Sequence, residues 1–289
     1  MEFTKKCKLC PRRCGADRIA GAGFCGGGEK ARVSKVMLHS WEEPCICTGK
    51  GAGAVFFSGC SLGCVYCQNK DISRSAVGDE YTADELARLF CDITENGASC
   101  LDLVTPSHYA PQICEALEMC CISVPVVYNT GGYELSETVE RYMKRADVFL
   151  TDFKYGSRET GEKYSSAPDY PEIASAALRT MHGIVGDPVY DGSGMLMRGI
   201  ILRHLVLPGE RHDSVKALER VAEAVGSENV ILSLMRQYTP GFAPAEYRNL
   251  SRRVTTFEYE YVRDAALEMG FSGYSQDADS ATAAYTPDF

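Results

Sequence analysis

Short apolar runs recur along the chain from residue 51, separated by stretches with helical periodicity. Residues 54–57, 101–104, 124–128, 148–150, 200–207 and 230–234 are β-branched or leucine-rich. Their length and unbroken apolar character predict strands buried on both faces of a parallel sheet. Helix signals lie between them. Thr82 and Glu85 form a capping box, in which each side chain satisfies a helix N–H that would otherwise have no partner. Pro111 and Pro171 suit first-turn positions, where no N–H is needed. Asp213 or Ser214 is expected to cap a helix running to Val225 and ended by Gly226. Thr255 and Glu258 make a second capping box, opening a helix that stops at Gly270. The alternation of strand and helix predicts one parallel α/β sheet, open or barrel-like. The first fifty residues look loop-rich, with one apolar stretch at 33–38, and residues 275–289 read as a polar, partly disordered tail. Three regions follow: a Cys-rich lobe at 1–50, the α/β body at 51–245, and a C-terminal helix with its tail at 246–289.

Composition narrows the chemistry. The 289 residues are 45% hydrophobic and carry a formal net charge of −9. That balance argues against bulk nucleic-acid binding, which needs a basic surface to displace counterions. No run of ~18 apolar residues occurs, so no membrane-spanning helix is expected. The opening residues lack the apolar run of a secretion signal, which makes the cytoplasm the expected compartment. All 14 cysteines fall within the first 121 residues. In a reducing compartment, clustered thiols point to metal or redox chemistry rather than to disulfides.

The sharpest signal is Cys60-Ser61-Leu62-Gly63-Cys64-Val65-Tyr66-Cys67, directly after the first predicted strand of the body. Three thiolates on a glycine-bearing loop can wrap one face of a [4Fe–4S] cube and leave its fourth iron open. The triplet, with an aromatic before its last cysteine, resembles the signature of radical S-adenosylmethionine (SAM) enzymes. Tyr66-Cys67-Gln68-Asn69 is similar to the Tyr-Cys-His-Asn of glycyl-radical-enzyme activating enzymes such as pyruvate formate-lyase activase, with Gln in place of His. Asp152-Phe153-Lys154 resembles the Asp-x-Lys that holds SAM, and the segment from Arg203 to Gly209 resembles their R-x-x-V-x-P-G. With Glu42-Glu43-Pro44 ahead of the triplet, the pattern looks most like the pyruvate formate-lyase activating enzyme-like branch.

The resemblance implies a partial (β/α)6 barrel of the TIM type. It implies a [4Fe–4S] cluster on Cys60, Cys64 and Cys67, and SAM held with the help of Tyr66, Gln68, Asn69, Asp152, Lys154 and Arg203. It implies reductive cleavage of SAM to a 5′-deoxyadenosyl radical that abstracts hydrogen, and flavodoxin or ferredoxin as electron donor. A glycyl radical enzyme is the substrate in the closest parallel; a small molecule or another protein is the alternative. Three departures stand out. The Gly-Gly-Glu that contacts the methionyl amine is replaced by Val104-Thr105-Pro106-Ser107, the activases' Tyr-His by Met235-Arg236-Gln237-Tyr238, and the ferredoxin-like insert is missing.

Cys7, Cys10, Cys14 and Cys25 supply four further thiols, enough for a structural zinc or a second iron–sulfur cluster, the latter favoured; Cys45 or Cys47 could also serve. Cys91, Cys100, Cys114, Cys120 and Cys121 read as small buried apolar residues. His108 and His204 read as hydrogen-bonded structural residues, and Phe271-Ser272-Gly273-Tyr274 as a turn. The rival from another class is a non-catalytic iron–sulfur or zinc redox protein, which would have no reason to bind SAM.

Overall fold

The computed structural model describes residues 5–21 and 23–276. In chain order its strands are β1 (Ala31–His39), β2 (Ala52–Phe57), β3 (Asp79–Tyr81), β4 (Leu101–Val104), β5 (Val126–Thr130), β6 (Val148–Asp152), β7 (Val189–Tyr190), β8 (Leu196–Leu205), β9 (Ile231–Met235) and β10 (Ser272–Ser275). The helices are α1 (Lys70–Ser73), α2 (Ala83–Glu95), α3 (Ala110–Met119), α4 (Ser136–Tyr142), α5 (Arg158–Ser165), α6 (Tyr170–Val185), α7 (Arg211–Val225) and α8 (Thr256–Glu268). The six apolar runs are β2, β4, β5, β6, β8 and β9, and each lies parallel to its neighbour in that order. This is the mixed α/β, TIM-type barrel sheet expected. Both capping boxes form, at Thr82 and Thr255. Pro111 and Pro171 sit in the first turns of α3 and α6.

The sheet extends past those six strands on both sides. β1 and β3 add antiparallel pairing beyond β2, and β10 adds a parallel strand beyond β9. The stretch 271–274, expected to be a turn, therefore supplies most of a strand. The predicted tail lies outside the described residues except for Ser275 and Gln276. Asp213 does not cap α7, whose N-cap is Glu210. Its carboxylate instead accepts from the Gly156 N–H and the Ser157 hydroxyl, tying α7 to the loop after β6.

Alternation along the strands divides the interior into layers. Ala52, Cys100, Val127, Val148, Leu150, Ile201 and Ile231 pack with Cys45, Ile46 and Leu196 into an apolar plug at the amino-terminal end of the barrel. Phe149, one residue from both Val148 and Leu150, joins the core against the helices instead. Further along the same inward faces come Asp102, Asn129, Asp152, Arg203 and Ser233. The register sets Asp152, Arg203 and Ser233 side by side on β6, β8 and β9.

α8 anchors the loop that leaves β8. Its Glu258 accepts from Gly209 N–H, from the Thr255 N–H and hydroxyl, and from both terminal nitrogens of Arg252. Hydrogen bonds from Arg252 above all hold the Glu258 carboxyl well below the usual carboxylate range, against the opposing effect of burial. A depressed folded value gives stability that is present above an unfolded value of about 4.3 and is lost as the pH falls through the folded one. Glu258→Gln is expected to cost about 2 kcal/mol at neutral pH. Melting curves should show the gap to the parent protein shrinking below about pH 4.

Candidate functional site

β2 is buried along its length, and its carboxyl end opens on the side where α/β barrels bind ligands. The loop that follows carries Cys60, Cys64 and Cys67. Each sulfur has a donor. Leu62 N–H lies 3.4 Å from Cys60 Sγ, the Ser165 hydroxyl 3.1 Å from Cys64 Sγ, and the Ser73 hydroxyl 3.5 Å from Cys67 Sγ. Burial, then the neighbouring Cys64, pushes the Cys60 thiol up to about 12. The same two causes raise Cys67, with Lys154 opposing. Sulfurs so furnished with donors suit thiolates, and a bound metal group supplies the positive charge that burial withholds. Among the described residues no three His, Cys, Asp or Glu side chains converge as the ligands of a single metal ion must. Three cysteine sulfurs on one loop, each with its own hydrogen-bond donor, are a donor set that fits an iron–sulfur cluster.

A charged network lies beside this loop. Asp152 accepts from Lys154 Nζ at 2.5 Å and from Arg203 Nε at 3.1 Å. Arg203 also donates to Asn129 Oδ1 at 2.6 Å, and Asn129 donates to Asp102 at 3.4 Å. Asp152 is held below its ordinary value because Lys154 and Arg203 together outweigh burial, which by itself raises it. The pair Asp152–Lys154 is thus a partly buried ion pair at a strand end, with Lys154 close to Cys64 and Cys67. From below, Glu43 accepts from the Ser233 hydroxyl at 2.8 Å and Glu42 lies 4.0 Å from Arg203. Burial raises Glu43 above its usual range, and burial together with Glu42 raises Asp102.

A cleft of about 440 Å³ runs along the open seam of the barrel, between the β1–β2 and β9–β10 edges. Of the predicted cofactor residues, Gln68, Asn69 and Arg203 line it, with Glu42 and Glu43. Gln68 Nε2 reaches across the seam to the Gln237 carbonyl at 3.4 Å. Tyr66 is set in the packing behind the loop instead. It lies edge-on to Tyr164 and Tyr238, with its hydroxyl 3.0 Å from that of Tyr155.

Glu134 carried no signal as a lone acid and was not among the predicted residues. It is 3% exposed; one oxygen accepts from the Ser107 hydroxyl at 2.7 Å and the other, Oε2, has no partner. Burial above all raises its carboxyl to about 7, with Asp152 adding and Ser107, Thr130 and Lys154 opposing. Gly131 and Gly132 bring it there: Gly132 has φ 78°, and a Cβ on it would stand 2.2 Å from the Asp152 carbonyl oxygen. Two glycines directly after a predicted strand were the available clue.

Cys7, Cys10 and Cys25 are buried and Cys14 is exposed. The four share one neighbourhood. Burial, with Cys25, Cys7 and Cys14 nearby, pushes Cys10 up to about 12, and burial with Cys7 and Cys14 raises Cys25. Cys45 belongs to the apolar plug, and Cys47 contacts the His39 carbonyl, so neither joins them. Cys100 and Cys114 are buried as expected, whereas Cys121 is exposed because the chain leaves α3 there for a surface loop. His108 and His204 are buried on the carbonyls of Ser58 and Phe153.

The family described as a 4Fe–4S single cluster domain matches residues 47–164, from the approach to β2 through the cysteine loop to α5. An uncharacterised protein of Methanocaldococcus jannaschii is 28% identical over 276 residues, covering 91% of this chain and 74% of its own. A pyruvate formate-lyase-activating enzyme of Clostridium pasteurianum is 29% identical over 131 residues, 41% of this chain and about half, 52%, of that enzyme. A radical SAM methyltransferase from Sphaerobacter thermophilus shares the fold at a TM-score of 0.51 and 13% identity, over 77% of this chain and 65% of the methyltransferase. No helix among the described residues is long and apolar enough to cross a membrane. The matched cluster domain coincides with the cysteine loop at the end of the first parallel strand, on a barrel sheet like that of the methyltransferase.

Proposed function

We propose that the chain is an activase-like radical SAM enzyme that abstracts a hydrogen atom from a glycine of a partner protein, and that Cys60, Cys64 and Cys67 hold its cluster. The observation that carries this reading is the set of three donor-bound sulfurs at the carboxyl end of β2, next to Lys154 and the Asp152–Arg203 network. When bound, the cluster and SAM supply the one-electron cleavage that yields a 5′-deoxyadenosyl radical; the protein supplies position and shelter. Lys154, held by Asp152, presents a cation to the methionyl carboxylate. Gln68, Asn69 and Arg203 line the cleft that shelters the adenosyl group and excludes water. The partial likeness to an activating enzyme supports a protein substrate and an electron donor in general; in this reading the donor is a flavodoxin or ferredoxin. The second reading is a small-molecule substrate, favoured by the acids at the floor of the cleft, Glu42 and Glu43.

Glu134 takes the part of the missing Gly-Gly-Glu in this reading. Its unpartnered oxygen accepts an N–H of the methionyl amine, while Ser107, from the loop where that motif is absent, fixes the other oxygen. The four N-terminal thiols hold a second metal group, for which an iron–sulfur cluster is favoured over zinc.

Two outcomes test this. Anaerobically reconstituted protein given a strong reductant should release 5′-deoxyadenosine, and Cys64→Ala should lower the yield at least about a hundredfold, by removing a ligand of the cluster; equal yields would refute the reading. The amine N–H is accepted most strongly by an ionised carboxylate, so calorimetric affinity for SAM should rise severalfold from about pH 6 to about pH 7.5 as Glu134 ionises. Glu134→Gln should bind about tenfold more weakly, for loss of a charge-assisted hydrogen bond, and should lose that rise.

A further inference from the structure

We propose that Arg12 is a positioning residue, a strut through which the N-terminal four-thiol site, as a second metal site, sets the shape of the loop bearing Cys60, Cys64 and Cys67. The inference rests on the cluster reading above and adds a physical connection between the two thiol sites.

Arg12 lies between Cys10 and Cys14, and it faces both sites. Its backbone N–H hydrogen-bonds Cys10, opposing the rise of that thiol. Its guanidinium spans two loops. Nε donates to the Ser61 carbonyl at 2.9 Å, NH2 to the carbonyls of Leu62 at 3.0 Å and Ser165 at 2.6 Å, and NH1 to that of Ser166. Ser61 and Leu62 sit between Cys60 and Cys64, and Ser165 is the residue whose hydroxyl reaches Cys64 Sγ. The planar fork fixes four carbonyls at once, which a lysine ammonium on its flexible stem cannot reproduce. Phe24 and Tyr133 flank the guanidinium, with ring centroids 4.3 Å and 5.3 Å from its central carbon.

A second contact joins the two sites by backbone alone. Cys60 N–H donates to the Cys25 carbonyl at 3.2 Å. That approach depends on Gly59, which has φ 90° and whose Cβ would stand 2.1 Å from the same oxygen. Two members of the N-terminal thiol set, Cys10 through Arg12 and Cys25 through its carbonyl, therefore bear on the cysteine loop.

Among the described residues before β1 there is no helix or strand. A loop of this kind with four neighbouring thiols gains its order from a bound metal, as small metal-bound lobes do. Gly23 leaves room beside Cys14, where a Cβ would stand 2.9 Å from the sulfur. The metal group taken for this site is the second iron–sulfur cluster proposed above.

The test uses the full chain, reconstituted anaerobically with iron and sulfide, then reduced. The parent should carry about eight irons, as two four-iron clusters. A Cys7→Ser, Cys10→Ser double variant should lose about half or more. Arg12→Gln should retain the N-terminal iron, yet its electron paramagnetic resonance signal from the Cys60–Cys64–Cys67 cluster should broaden and respond about tenfold less sensitively to added SAM. Arg12→Lys should be rescued only in part. Circular dichroism melting above the assay temperature guards against simple unfolding. A parent-like signal and SAM response in both Arg12→Gln and the double variant, with Cys64→Ala still abolishing the cluster, overturns the strut and leaves the proposed function standing. A metal-free N-terminal site overturns it as well. Absence of any cluster on Cys60, Cys64 and Cys67 in the parent overturns both readings.

Discussion

Three half-buried cysteines share one loop at the carboxyl end of β2, and positive charge beside them favours their thiolate forms. Burial and mutual proximity both drive Cys60 and Cys67 toward the protonated form, while Leu62, Ser73 and Ser165 are placed as if the sulfurs were acceptors. On the proposed reading, the conflict resolves when a multivalent iron–sulfur group takes the protons' place. The surrounding architecture follows from holding that loop still. Arg12 and Cys25 press on it from the N-terminal lobe, Ser165 from α5, and Lys154 from the end of β6.

The barrel supplies the second condition, a polar interior that does not collapse. Parallel strands with period-two alternation must send half their side chains inward. An apolar plug closes one end of the barrel, and Asp102, Asn129, Asp152, Arg203 and Ser233 fill the next level. Buried charges survive there because they are paired: Asp152 is shared by two cations, and Asp102 and Glu43 are raised enough to hold protons more readily. The result is a cleft whose walls are already ordered, so binding need not pay for rearranging them.

Much of this was legible in the sequence where one local rule dominates. Buried parallel strands announce themselves as short runs of Val, Ile and Leu, and Thr82-x-x-Glu85 and Thr255-x-x-Glu258 carry their caps within four residues. The cysteine triplet was legible for the same reason, since its spacing is its chemistry. What escaped was set by tertiary partners. Asp213 has a good cap sequence but serves Gly156 and Ser157, more than fifty residues away. β10 is exposed along its length and carries no apolar pattern; its pairing with β9 alone makes it a strand. Glu134 and Arg12 gain their meaning from Ser107 and from four distant carbonyls, which no window along the chain contains.

The most direct test of the whole account is electron–nuclear double resonance on the reduced protein mixed with SAM labelled with nitrogen-15 at the methionyl amine. A cluster held by three cysteines leaves one iron free to bind that amine, so a nitrogen-15 coupling to the cluster spin is predicted. A cluster signal without such coupling, or no cluster signal in protein that has retained Cys60, Cys64 and Cys67 as free thiols, would contradict it.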